Sequence, residues 1–109
     1  VYVSTIPSNP TARDTLAAGN GAVAFELPGA GAGDRIDLSQ CDANINTSGV
    51  QDFAFGTARG TGRLWAVNSG TDTLIRGNID GDADAEFELL IADGSSVGAA
   101  AYSGADFIV

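Results

Sequence analysis

Asn78, Asp80, Asp82, Asp84 and Glu86 put an oxygen-bearing side chain at every second position around Gly81. Carboxylate and amide oxygens are hard donors, suited to calcium or magnesium. The spacing imitates the first half of an EF-hand loop. The second half is missing, because the twelfth position counted from Asp80 is Ile91 and no flanking helices are expected. Two readings therefore stand: a weak site for a hard cation within one hairpin turn, or an acidic, soluble turn between strands.

Other chemistry is scarce. The chain has no His, which removes Ser-His-Asp and Cys-His catalysis and the HExxH zinc motif. Cys41 is the single cysteine, so no internal disulfide or cysteine metal cluster forms, and it reads as a small buried hydrophobe. Asp37 and Asp42 could be taken for a glycosidase carboxylate pair, but nothing around them shapes a cleft. No catalytic residue is assigned. Trp65 and Tyr102 offer either a sugar-stacking platform, with Trp65 as its main face, or half-buried packing.

Fourteen carboxylates against five arginines and no lysine give a net charge of -9 over 109 residues. Nucleic acid is excluded as a partner, because phosphate binding needs clustered cations. Anionic membranes are disfavoured for the same reason. No apolar run approaches membrane-spanning length, and no signal-peptide pattern is read at the N-terminus. The first residue is Val1 rather than Met, which fits a fragment with sequence upstream.

The elements that must position these residues are strands. Val1–Ile6 alternates and is stopped by Pro7 and Pro10. Thr11–Asn20 is ambiguous between helical turns and a loop with a short strand. Ala22–Leu27 reads as a strand ended by Pro28-Gly29. Ile36–Leu38 is short, and Ser39 is a good N-cap for a helical turn over Gln40–Ala43. Asp52–Gly56 puts Phe53 and Phe55 on one face. Arg63–Asn68, Thr73–Ile79 and Ala85–Ala92 are separated by short turns, which predicts an antiparallel meander. Ala105–Val109 closes the chain as a terminal strand. No ten-residue segment has a convincing helical period. The core is expected from Phe25, Ile36, Leu38, Phe53, Phe55, Leu64, Leu74, Phe87, Leu89 and Ile91.

Gly29–Asn44, GAGAGDRIDLSQCDAN, resembles the C-terminal domain of the serralysin (M10) metalloproteases and related RTX exoproteins, whose G-x-G-D-x-I-D-L-S-x-I-D-A-N segment follows their calcium-binding repeats. Cys41 stands where Ile is usual. QDFAF at 51–55, GNIDGD at 77–82, AEFEL at 85–89 and the final ADFIV at 105–109 follow the same pattern in order. The match runs over residues 20–109, with 1–19 as an N-terminal strand and connector or the end of a β-roll.

The resemblance implies an all-β fold, an antiparallel β-sandwich of serralysin C-terminal type. It implies calcium at Asp34, paired with the position that is Asn20 here; Asp14 is the alternative donor. It implies a non-catalytic module of a secreted, extracellular protein, preceded by a β-roll or catalytic domain such as a zinc metalloprotease. Asp106, Phe107, Ile108 and Val109 would be its export signal to a type I ABC exporter. The rival expectation is a β-sandwich that binds carbohydrate or a protein partner.

Overall fold

The computed structural model describes residues 2–3, 14–17, 24–29, 33–39, 41, 43–44, 46, 48–49, 51–82, 84–94 and 97–109. Among the described residues there are eight strands: β1 (Tyr2–Val3), β2 (Asp14–Ala17), β3 (Ile36–Asp37), β4 (Ala54–Phe55), β5 (Arg63–Ser69), β6 (Asp72–Asn78), β7 (Phe87–Ala92) and β8 (Phe107–Ile108). The helical content of the described residues is two 3-10 turns, Ala99–Ala101 and Gly104–Asp106. The regular structure of the described residues is thus mostly strand.

The central element is the run β5–β6–β7. Trp65, Val67, Ile75 and Ile91 are strand-favouring residues, and the turns between strands are rich in Gly and Asp. Ser69 pairs with Asp72 across a two-residue turn in which Gly70 adopts φ 62°. That left-handed conformation at the first turn residue is what a tight hairpin demands and what glycine tolerates. β6 pairs antiparallel with both β5 and β7. β2 adds to β7 and β4 adds to β5, both parallel, giving the order β2-β7-β6-β5-β4. A second sheet, β1-β3-β8, is parallel throughout.

The antiparallel expectation is therefore corrected to a mixed arrangement. Short connections predict antiparallel neighbours only when the strands are long. β4 is two residues, about 7 Å at 3.3 Å per residue. A loop from Gly56 to Gly62 can retrace that distance and return parallel, held by Ala54 N–H to Gly62 O and Gly56 N–H to Leu64 O, both 2.9 Å.

Residues of both sheets share one core. Ile36, Leu64, Ile75, Phe87, Leu89 and Ile91 are completely buried. Phe55 stacks on Phe107 with ring centroids 4.9 Å apart, and Phe25 meets Tyr102 edge-on at 5.2 Å. Leu74 and Phe55 are only half-buried, short of the burial expected for them. Leu74 projects from the face of β6 opposite the buried Ile75.

Two local expectations also change. Ala24–Leu27 is a bend rather than a strand, and Leu27 at φ 50° breaks any extended ladder there. The helical turn expected over Gln40–Ala43 lies partly outside the described residues, with bends at Cys41 and Ala43, and Ser39 turns back toward β3. Its amide and hydroxyl both donate to Asp37 Oδ1, at 3.0 and 2.6 Å, and close a turn. Cys41 N–H follows by donating to Leu38 O at 2.9 Å. Gln40 and Asp42 lie outside the described residues.

Candidate metal centre

The turn between β6 and β7 begins at Asn78, whose side chain is completely buried. Its amide donates to Asp82 O at 2.6 Å and to Arg59 O at 3.2 Å, and its Oδ1 accepts from Asp80 N–H at 3.2 Å. Asn78 is thus a strut that shapes the turn. Asp80 Oδ1 accepts from Asp82 N–H at 3.0 Å, and Asp82 Oδ1 from Asp84 N–H at 2.9 Å. Each acidic side chain bonds the backbone two residues on, the habit of Asx turns. The Thr61 hydroxyl donates to Asp80 O and ties the turn to the preceding loop.

Glu86 enters from the far side, with Oε1 accepting from Ile79 N–H at 2.9 Å. Carboxylate oxygens of Asp80, Asp82 and Glu86 lie within 4.8 Å of one another. Burial pushes the Glu86 carboxyl above its ordinary value, and the charges of Asp80 and Asp82 push the same way, against the Ile79 hydrogen bond. Three like charges drawn together favour a cation or a proton between them. An all-oxygen donor set fits calcium or magnesium and not a soft metal.

Of the five residues expected in this turn, three converge. Asn78 is spent on backbone groups and Asp84 is exposed outside the cluster. Of the second expected site, Asp34 is the one residue whose side chain is described. Asp34 Oδ2 accepts from Glu26 N–H at 2.9 Å, and Asp34 N–H donates back to Glu26 O at 3.0 Å. Asn20 lies outside the described residues; Asp14 is placed in β2 opposite Leu89, but its side chain is not described.

Trp65 is 4% exposed, and the Arg59 guanidinium sits 5.4 Å from its ring centroid. A sugar could stack there only by displacing Arg59. A shallow groove of about 260 Å³ lined by Phe55, Thr57, Ala66, Ala99, Ala100 and Tyr102 carries no carboxylate or basic group.

The sequence reading missed two polar arrangements. Asp93 Oδ2 accepts from the Thr73 hydroxyl at 2.7 Å and the Tyr102 hydroxyl at 2.8 Å. Asp106, expected within the export signal, is completely buried. The signal for it was present: Ser103-x-x-Asp106 has the spacing of a capping box.

No protein-family model matches the chain, and no curated protein matches it.

Proposed function

We propose that this chain is a non-catalytic, calcium-responsive folding module of an extracellular RTX-type protein, and that its last four residues are a type I secretion signal. The observation that carries the calcium part is the convergence of Asp80, Asp82 and Glu86 within 4.8 Å on a chain of net charge -9. Without a cation the acidic chain repels itself and the cluster is uncompensated, which favours a loose state inside the cell. Calcium outside the cell binds the folded form and pulls the equilibrium toward it. Asp80, Asp82 and Glu86 would hold the ion, and backbone and water oxygens would complete its shell. The calcium attributed to Asp34 with Asn20 or Asp14 belongs to the same proposal.

The export part rests on the sequence of the end, an acidic residue followed by three apolar ones, Asp106-Phe107-Ile108-Val109. An extended amphipathic end of this kind suits capture in a hydrophobic groove of an exporter before folding. The fold proposed with it is a sandwich of the serralysin C-terminal type, its meander formed by β5, β6 and β7. An upstream β-roll or catalytic domain would be the neighbour in the intact protein.

One experiment addresses both parts. The chain is fused to a passive reporter in cells that carry a type I exporter, with the intact end, without residues 106–109, and as Asp106→Lys. The intact end should deliver the reporter to the medium and the other two should retain it. The exported chain should resist protease in calcium and be digested in chelator. Equal export of all three removes the signal role; equal digestion with and without calcium removes the calcium role.

A further inference from the structure

The four residues assigned to export are not free in the folded chain. The Asp106 carboxylate has no exposed surface, so it needs donors inside the protein. It takes Gly29 N–H, 2.8 Å from both of its oxygens, and Ser103 N–H at 2.9 Å. Gly29 is 77 residues away in sequence. It stands at φ 84°, and a Cβ there would lie 2.6 Å from Ala101 O. The loop can therefore reach the carboxylate only because this residue is glycine. Arg35 holds the same end, donating from Nε to Ala105 O at 3.2 Å and from Nη2 to Phe107 O at 3.3 Å. Phe107 is buried against Phe55, and Ile108 pairs with Asp37 at the edge of the small sheet. Val109 alone of the four is exposed, at 45%.

We infer that Asp106 is a latch: its carboxylate, clasped by Gly29 and backed by Arg35, sequesters the C-terminal segment, so the tag and the folded domain are mutually exclusive states. The consequence for export rests on the export reading; the latch itself does not. An exporter that needs an extended end with a free acidic side chain can engage the unfolded chain and not the folded one. Folding outside the cell then consumes the signal, and no separate cleavage is required to silence it.

The test is timed carboxypeptidase digestion of the folded chain, read by mass spectrometry, beside a free peptide with the same end. The parent should lose Val109 and then stall, releasing Phe107 at least tenfold more slowly than the peptide. Asp106→Asn keeps the shape but, whichever way the amide turns, sets an NH2 against the Gly29 N–H that lies 2.8 Å from both carboxylate oxygens; release through Phe107 should quicken at least tenfold. Arg35→Ala leaves the carboxylate in place and should quicken release severalfold while the near-ultraviolet signal of Trp65 is kept, so that a folded variant is available even if Asp106→Asn does not fold. A parent that releases Phe107 as fast as the peptide, or a folded Arg35→Ala that stalls like the parent, overturns the latch. The two readings separate cleanly. Asp106→Asn that digests faster but exports normally keeps the latch and removes Asp106 from the signal. Folded Asp106→Asn that exports poorly but digests like the parent keeps the signal and removes the latch.

Discussion

Leu89 has no exposed surface and shares the inward side of β7 with Phe87 and Ile91. Leu89→Ala should cost about 2–5 kcal/mol, because the lost contacts leave a cavity that relaxes only in part; urea unfolding measures it. Tyr102 makes a different kind of contribution. Its phenol is pushed well above the ordinary 10.0, first by burial and then by Asp93, to which it donates. Above pH 10 the unfolded chain ionises there and the folded one does not, so stability should fall as pH rises. Tyr102→Phe should flatten that slope and cost about 1–2 kcal/mol for the missing hydrogen bond. Glu86 behaves in the same direction at acid pH. Its folded carboxyl is raised above 4.5, so its contribution is full below 4.5 and is lost as pH climbs through the raised value. Glu86→Gln should remove that slope, and most of any calcium response with it. A Gln variant with the parent's acid slope would place the titration elsewhere.

The places of most strands were legible, since β1, β3, β4 and β8 fall inside the segments 1–6, 36–38, 52–56 and 105–109, but their parallel pairings were not. β5, β6 and β7 begin and end within two residues of the expected segments, because their alternation and their Gly- and Asp-rich turns lie in the local sequence. β1, β3, β4 and β8 are two residues each. Such strands are defined by partners far along the chain, as in Ile36 opposite Phe107, and no local pattern announces a parallel pairing. Ala22–Leu27 shows the reverse error: its composition favours a strand, but the backbone turns at Leu27. The candidate site was half legible. Spacing at i, i+2, i+4 identified the acidic turn, but side chains at that spacing also bond backbone groups, which is where Asn78 is spent, and Asp84 lies exposed outside the cluster. The β6–β7 register supplies its own test. Arg76 stands opposite Glu88 and bonds its Oε2 from Nε and Nη2, both at 3.0 Å, with Glu88 3% exposed. Arg76→Met should cost about 1–2 kcal/mol, discounted from a buried pair because Arg76 itself is partly in water. The urea midpoint should drop with an unchanged slope; a changed slope would mean that the hairpin itself had come apart.

At the scale of the whole molecule, net charge and the cation site make separable claims. A charge of -9 on 109 residues disfavours the compact state through general repulsion. Any salt relieves that repulsion, since exposed charges are screened beyond about 8 Å at physiological ionic strength. A specific site adds a saturable gain, about 2.7 kcal/mol at one hundred times the dissociation constant. That is a large share of the 5–15 kcal/mol typical of a folded domain. Thermal unfolding in chelator, in sodium chloride and in calcium chloride at matched ionic strength separates the two effects. Sodium should raise the midpoint gradually without saturation. Calcium should raise it further and level off, and magnesium should do less, because it demands a stricter octahedral shell than a turn with three converging carboxylates provides. Asp82→Ala should abolish the excess of calcium over sodium while leaving the sodium response intact, because one charge in nine changes general repulsion little but removes a third of the clustered carboxylates. If sodium matches calcium in the parent, the acidic turn is only a soluble hairpin and calcium leaves the account of how this chain folds.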